Sequence, residues 1–138
     1  MTATIATKAV HHLTLTVTDM DRARQFYTRL LSFQVIMEFG PKLLLTNGST
    51  TILVLTPAPD PSRAIKDDRF DENRVGLDHV SFSVGSRDEL EGAVKLFDAE
   101  GVSHGEIKDL GPGLGLYVLA FRDPDNIQLE LTAPHTPN

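Results

Sequence analysis

The chain has 138 residues, no cysteine and 41% hydrophobic residues, which suits one domain with a real core and excludes disulfides and thiolate metal sites. Thirteen basic and nineteen acidic residues give a net charge of −6 without any basic stripe, which argues against nucleic-acid binding. No stretch approaches the roughly 20 apolar residues of a membrane span, and residues 1–9 contain no apolar run of signal-peptide length, so we expect a soluble cytoplasmic protein without a membrane partner.

The first predicted element is a strand over residues 12–17. Because successive side chains of a strand point to opposite faces, His12 and Thr14 share one face and apolar residues occupy the other. A helix follows, with a hydroxyl cap predicted at Thr18 and apolar residues at helical spacing. Three further strands are predicted near residues 33–38, 42–46 and 50–56, with an Asn-Gly hairpin signal between the last two.

Residues 57–74 carry three prolines and no periodicity, which predicts a surface connection, either a plain linker or a segment that orders over the site. The first pattern then returns, with His79 and Ser81 in the places of His12 and Thr14. The second helix has capping-box spacing from Ser86 and a glycine stop. Strands are predicted near residues 104–107, 116–121 and 127–132, with a mobile glycine-rich loop at 111–115 and a turn at 123–126.

The predicted order is therefore strand, helix and three strands, twice over. Each half buries one sheet face under its helix and leaves the other face polar. When the ends of the halves are aligned, Val54 corresponds to Glu130, which gives four equivalent corners with His12 and His79. Three of these corners can bind a metal, and Val54 cannot.

Two imidazoles and one carboxylate suit a divalent first-row metal, and on an octahedral ion they leave three neighbouring positions open. A substrate with two adjacent oxygens can chelate through two of them, while water or dioxygen takes the third. A single histidine at a strand start is more often structural, so the prediction depends on the three residues together. Of the other histidines, His11 is expected to point away from His12, His104 has no repeat partner, and His135 is expected to be solvated.

The sequence resembles the vicinal oxygen chelate superfamily, which includes glyoxalase I, extradiol dioxygenases, fosfomycin-resistance transferases and bleomycin-resistance proteins. The resemblance covers about residues 9–134. It is carried by residues 12–19 with Phe26 and Tyr27, by residues 78–80, and by residues 122–126 running into Glu130.

This resemblance implies an α+β fold in which paired βαβββ modules form a metal-containing cup, the glyoxalase/bleomycin resistance/dihydroxybiphenyl dioxygenase fold. It implies a single domain over residues 1–138, with modules at about 9–58 and 76–134 and a linker at about 57–75. A homodimer is usual in the superfamily. Some members exchange modules, so that a site draws on two chains.

Family patterns narrow the expected activity. Glyoxalase I has a fourth protein ligand at the corner that Val54 holds here, and bleomycin-resistance proteins usually lack the metal ligands. The leading prediction is a metal-dependent, dioxygenase-like oxidoreductase that chelates a small oxygenated metabolite through two oxygens. The alternatives are a drug-binding resistance protein that uses the same cup without catalysis, a fosfomycin-type thiol transferase, and a glyoxalase-type lyase.

The predicted site follows from these patterns. The metal would be Fe2+ or Mn2+, with Zn2+, Ni2+ or Co2+ as further candidates. Thr14 and Ser81 are predicted to line the substrate pocket, and Tyr117 is the candidate acid or base. The predicted metal ligands are His12, His79 and Glu130.

Overall fold

The computed structural model describes residues 3–136. The chain divides into two units, one ending at Ala64 and the other beginning at Ile65, so the division falls within the predicted linker. The elements of the first unit are strand β1 (Leu13–Thr16), helix α1 (Met20–Leu30), and strands β2 (Gln34–Phe39), β3 (Lys42–Thr46) and β4 (Ile52–Thr56).

The second unit repeats the order strand, helix and three strands, with a short helix before its third strand, whereas the first unit has a 3-10 turn at Pro61–Arg63 after its last strand. The second unit consists of β5 (Val80–Ser83), α2 (Arg87–Glu100), β6 (Lys108–Asp109), α3 (Gly111–Leu114), β7 (Leu116–Arg122) and β8 (Gln128–Pro134). Each unit contains one four-stranded mixed sheet, ordered β1-β4-β3-β2 in the first and β5-β8-β7-β6 in the second. This architecture confirms the predicted α+β fold of two repeated halves.

The two sheets also share their register. In the first, β1 runs parallel to β4 and Thr14 lies opposite Val54. In the second, β5 runs parallel to β8 and Ser81 lies opposite Glu130. The correspondence of Val54 with Glu130, predicted from the sequence repeat, is therefore confirmed by strand pairing within each unit.

Helix α1 packs its apolar stripe into the core of the first unit, where Ala23, Phe26 and Tyr27 are buried. Its predicted cap was one residue too early, because the side chain of Asp19 accepts the hydrogen bond from the Arg22 backbone N–H at 3.0 Å. A carboxylate there also interacts favourably with the positive end of the helix dipole.

Helix α2 confirms both of its predicted ends. The Ser86 side chain accepts from the Glu89 backbone N–H while the Glu89 carboxylate accepts from the Ser86 backbone N–H, which is a complete capping box. The helix stops at Gly101, which adopts the left-handed conformation with φ of 69°. Leu90 and Phe97 bury its apolar side.

Two predictions for the second unit were wrong. The segment near residues 104–107 forms only a single bridge, between His104 and Phe121, and the paired strand β6 comes later. Residues 111–115, predicted as a mobile loop, form one helical turn that ends at Gly115 with φ of 70°. Among residues 3–136, no helix is long and apolar enough to cross a membrane.

Candidate functional site

The polar face of the second sheet is built from β5 and β8. Along β8 the side chains alternate, with Leu129 and Leu131 buried and Gln128, Glu130 and Thr132 half-buried. Because paired neighbours present their side chains to the same face, Ser81 lies beside Glu130 on the half-buried side. This face therefore carries acceptors and hydroxyls above a layer of leucines.

His79 and Glu130 meet on this face. The Nε2 atom of His79 lies 3.8 Å from Oε1 of Glu130, and the two side chains are 40% and 21% exposed. Ligands that each bind one ion at about 2.0 to 2.2 Å stand roughly 3 to 4 Å apart, so this pair fits two positions on a shared metal. The structure thus brings together two of the three predicted ligands.

Asp78 orients the His79 ring. The Nδ1 atom of His79 lies 2.7 Å from Oδ1 of Asp78, so the ring donates its proton to the carboxylate from that nitrogen. This contact leaves the lone pair on Nε2, the atom that faces Glu130. Gln128 in turn donates from Nε2 to the Asp78 carboxylate at 2.9 Å and to its backbone carbonyl at 3.1 Å.

Glu130 is held by the hydroxyl of Thr132, which is itself hydrogen-bonded to Ser81. Thr132 donates from Oγ1 to Oε1 of Glu130 at 3.2 Å, and the Ser81 hydroxyl is hydrogen-bonded to Thr132. Since Thr132 has one hydroxyl proton and gives it to the carboxylate, Ser81 is the donor of the second bond. Ser81, predicted to line the pocket, lies on the predicted face and acts on Glu130 through Thr132.

In the first unit, His12 immediately precedes β1 and is exposed. Its Nδ1 atom lies 2.9 Å from Nδ1 of His11, and the rings meet edge to face with centroids 5.1 Å apart. The expectation that His11 points away from His12 is therefore wrong, because the strand begins at Leu13 and its alternation does not extend back to His11. Thr14 is exposed, whereas Val54 opposite it is 7% exposed.

Among the described residues of the second unit, no third candidate ligand lies with His79 and Glu130. Within either unit taken by itself, residues 3–136 bring no three histidine, aspartate or glutamate side chains into a metal-binding group. His79 and Glu130 belong to the second unit and His12 to the first.

Tyr117, the predicted acid or base, lies on the opposite face of the second sheet. It pairs with Ala133, on the buried side of β8, while Ala120 on the same strand pairs with Glu130. The Tyr117 ring is 5% exposed, and its hydroxyl donates to the backbone carbonyl of Thr136 at 3.4 Å. The structure therefore separates Tyr117 from the His79–Glu130 pair.

His135 packs against Tyr117. The two rings stack with centroids 4.7 Å apart, and Nε2 of His135 lies 3.1 Å from Oδ1 of Asp109. The expectation of a solvated His135 is wrong, since its side chain is only 13% exposed. A strand that continues to Pro134 carries the residue against the sheet.

His104 is engaged through both ring nitrogens. Nε2 lies 2.6 Å from Oδ1 of Asp98, and Nδ1 lies 2.7 Å from the carbonyl oxygen of Gly105. Both partners are acceptors, so both nitrogens donate, and the hydrogen bond to Asp98 raises the pKa of His104. With no free lone pair, this ring is not available to a metal.

A polar cavity of about 430 Å³ lies elsewhere in the second unit. None of the predicted site residues lines it. Its lining combines three arginines with two acids and neighbouring polar groups, among them Arg69, Arg74, Arg122, Asp71, Glu72 and Asn126.

The residues that orient His79 and Glu130 were not among the predicted site residues, apart from Ser81. Asp78 was part of the family pattern but was given no role, and Gln128 and Thr132 were not singled out. A signal was present, because Gln128 and Thr132 lie two residues on either side of Glu130 and so share its face. Their mutual contacts, however, depend on side-chain conformations that periodicity does not specify.

The chain matches a known protein family over most of its length. The model of the Glyoxalase/Bleomycin resistance protein/Dioxygenase superfamily matches residues 9–131. The chain is 31% identical over 130 residues to YwkD of Bacillus subtilis (strain 168), covering 90% of this chain and 95% of YwkD.

Solved structures agree in fold. The glyoxylase/bleomycin resistance protein/dioxygenase domain from Frankia sp. EAN1pec is 29% identical with a TM-score of 0.72, covering 94% of this chain and 100% of that domain. The fosfomycin resistance protein FosX from Listeria monocytogenes, complexed with Mn(II) and sulfate, is 18% identical with a TM-score of 0.70, covering 95% of this chain and 92% of FosX. At that identity the likeness to FosX concerns the fold alone.

Proposed function

The chain belongs to the glyoxalase/bleomycin resistance protein/dioxygenase superfamily, and on that premise we propose that it is a divalent-metal-dependent enzyme. Its substrate is a small oxygenated metabolite held through two oxygens. The observation that carries the proposal is the 3.8 Å separation of His79 Nε2 from Glu130 Oε1, with each side chain oriented by its own hydrogen bonds.

His79 and Glu130 fit two ligand positions, and we propose His12 as the third ligand. The support for His12 is its place in the sequence repeat, where it corresponds to His79. Imidazole and carboxylate ligands suit Fe2+ or Mn2+, and also Zn2+, Co2+ or Ni2+. When bound, the metal supplies Lewis-acid polarisation of the substrate oxygens or redox chemistry.

The surrounding side chains define what the protein contributes. Asp78 keeps the Nε2 lone pair of His79 available, and Thr132 restrains the carboxylate of Glu130. Thr14, on the exposed face of β1, and Ser81 are proposed to line the substrate pocket. Tyr117 has no part in this proposal, because its hydroxyl lies on the other face of the sheet.

Among the possible reactions we place a dioxygenase-like oxidation first. Three protein ligands leave room for two substrate oxygens and one further small ligand, and Val54 supplies no fourth ligand. Oxygen consumption, measured with an electrode during metal- and substrate-dependent turnover, tests this choice. Turnover without oxygen uptake would contradict it and would favour a lyase or, if a thiol is consumed, a transferase.

Metal content tests the proposal as a whole. We expect protein purified without chelators to contain a divalent metal, and added Mn2+ or Co2+ to raise the melting temperature of stripped protein. Glu130→Ala should abolish that rise, whereas Glu106→Ala, at an exposed position in the same unit, should retain it. Absence of metal together with absence of metal-induced stabilisation would overturn the proposal, and full metal affinity in Glu130→Ala would refute this ligand assignment.

We further propose that the protein acts as a cytoplasmic homodimer, as is usual in the superfamily. Light scattering coupled to size-exclusion chromatography measures the mass directly. A particle of twice the 15.2 kDa chain mass is expected, and a monomer at micromolar concentration would contradict this proposal.

A further inference from the structure

We propose that Gln128 is a positioning residue for His79. We further propose that it links His79, through Arg122 and Glu72, to the segment that connects the two repeats, residues 57–74 (the connecting segment). The inference rests on the proposed function, since it concerns how a metal ligand is held. It extends that function by assigning a role to residues that touch neither metal nor substrate.

A continuous series of hydrogen bonds carries the inference. The Glu72 carboxylate is bound in bidentate fashion by Arg122, with Nη2 to Oε1 at 2.8 Å and Nη1 to Oε2 at 2.9 Å. The same Nη2 of Arg122 donates to Oε1 of Gln128 at 3.4 Å. Gln128 then donates to Asp78, whose carboxylate accepts from His79.

The polarity of this series fixes the orientation of the Gln128 amide. Its carbonyl oxygen faces the Arg122 guanidinium and its NH2 group faces the Asp78 carboxylate. Rotating the amide by 180° would place NH2 against a cation and a carbonyl oxygen against an anion. Both contacts would then be repulsive, so the charges at the two ends select one orientation.

Asp78 needs this support because it is otherwise exposed. Its side chain is 68% exposed and lies in the segment before β5, outside the strand ladder. A solvated carboxylate held by a single bond samples several rotamers, and the imidazole bound to it would move as well. Gln128 restrains both the backbone carbonyl and the carboxylate of Asp78, which together set the direction of His79 Nε2.

The far end of the series is anchored to the turn between β7 and β8. The backbone N–H of Phe70 donates to the carbonyl of Asp125 at 2.9 Å, and the Asn126 side chain donates to the carbonyl of Phe70 at 3.0 Å. Glu72 follows two residues later and is held by Arg122. The connecting segment is thus bound to the β7–β8 turn, and it braces the residue that orients the metal ligand.

Gln128→Met tests the inference, because it keeps the length of the side chain and removes both polar ends. We expect its dissociation constant for Co2+, measured by competition with a chromophoric chelator, to rise severalfold, up to about the tenfold loss at the lower end of what removing the partner of a metal-binding histidine causes, because Asp78 remains but is no longer held. Gln128→Glu keeps the acceptor toward Arg122 and loses the donor toward Asp78, so it should show a comparable loss. Gln34→Met, the same substitution on the exposed strand β2, should bind like the wild type.

A second readout uses metal-free protein. Nitrogen NMR of the imidazoles should show His79 protonated at Nδ1 in the wild type near neutral pH, and a mixture of tautomers in Gln128→Met and Gln128→Glu. Circular dichroism establishes that each variant is folded. If one variant fails to fold, the other decides the question.

The outcomes separate the inference from the proposed function. Wild-type metal affinity and an unchanged His79 tautomer in the two Gln128 variants would overturn the positioning role. If wild-type protein and His79→Ala bind Co2+ equally weakly, the proposed function fails, while the tautomer shift still reports on Gln128. A loss of affinity without any tautomer change would also contradict the role, because it would not act through the His79 ring.

Discussion

Among the histidines of the second unit that lie beside a carboxylate, His79 and His104 differ in what the second ring nitrogen contacts. In His79 the nitrogen not bound to Asp78 faces another carboxylate, Glu130, at a distance that a metal can bridge. In His104 the nitrogen not bound to Asp98 donates to a backbone carbonyl. The first ring keeps a lone pair available, and the second is stabilised as a cation.

The ion pair of His104 with Asp98 leads to a prediction about pH. Because Asp98 raises the pKa of His104 above 6.5, the pair stabilises the fold fully below that pH and loses its contribution as pH rises through the folded-state pKa. Asp98→Asn should therefore lower the urea midpoint at pH 5.5 and have a much smaller effect at pH 9. Glu106→Gln, at an exposed acid without an imidazole partner, serves as the control. Equal losses at both pH values would refute the assignment.

The position of Tyr117 on the face away from Glu130 leads to a prediction about its hydroxyl. Since its hydroxyl donates to Thr136 on the face away from Glu130, Tyr117→Phe should change turnover by no more than about twofold and cost about 0.5 to 1.5 kcal/mol of stability at most. Steady-state kinetics on the substrate, once identified, measures the first quantity and urea unfolding the second. A loss of turnover by a hundredfold with unchanged stability would return Tyr117 to the acid–base role predicted from the sequence.

Among the helices and strands, those that repeat in the two halves were predicted well from the sequence. The features that depart from the repeat, such as the short helix after β6, were predicted poorly. Alternation placed β1 and β5, and the spacing from Ser86 to Glu89 located the start of α2, because these signals follow directly from backbone geometry. The start of α1 was misplaced, since Thr18 and Asp19 are both good caps and their choice depends on tertiary position. The turn of helix at residues 111–115 is too short to show a periodic pattern. Its glycines and proline usually indicate a loop, so the sequence predicted a loop there.

Helix α2 provides a matched pair of glycines for a stability test. Gly101 ends the helix with φ of 69°, whereas Gly92 lies in its middle, and an added Cβ meets nothing within 4 Å at either position. Gly101→Ala should destabilise the protein by about 1 kcal/mol, because an alanine is strained in the left-handed region. Gly92→Ala should stabilise it by about 0.5 to 1 kcal/mol, because glycine is a poor helix former. Urea unfolding of both variants checks the signs, and the same sign for both would contradict this account.

In the chain as a whole, the connecting segment is held to the second unit's sheet by the ion pair of Glu72 with Arg122. Arg122 lowers the pKa of Glu72 to about 2, so their ion pair contributes stability above the ordinary value of 4.5 and loses it as pH falls toward 2. Glu72→Gln should therefore weaken the acid-side fall in stability between pH 4.5 and 2, and should speed proteolysis within residues 65–78 at pH 7. Limited proteolysis and urea midpoints at pH 5 and 3 measure these effects.

The matched control for this test is Glu91→Gln, which removes the partner of Arg87 in an exposed pair on α2 at 3.5 Å. Exposed pairs of this kind contribute little, so its stability profile should follow the wild type. If Glu91→Gln and Glu72→Gln behave alike, the connecting segment has no special anchor.

Part of the candidate site could be predicted from the sequence, namely the residues that share a strand face. The side-chain contacts between distant residues could not. The repeat predicted that His79 and Glu130 lie together on one face, because equivalent positions on duplicated strands share a face, and the structure brings these two side chains within 3.8 Å. The Gln128 amide lies between two charged groups, Arg122, which is six positions away in the chain, and Asp78, which is 50 positions away. Arg122 is in turn held by Glu72, which is 50 positions from it. Contacts between residues so far apart in the chain form only in the folded protein, so no local sequence pattern predicts them.

The β7–β8 turn sets the phase of the strand that carries Glu130. Its Asp123, 5% exposed, accepts backbone hydrogen bonds from Asp125 and Ile127, both at 2.8 Å, and so fixes the number of residues in the turn. A slip of one residue there would place Leu129 or Leu131 where Glu130 now stands. Related proteins should therefore rarely carry insertions or deletions within this turn, even ones that leave the protein folded. A single such change would replace Glu130 on the polar face of the sheet with a leucine.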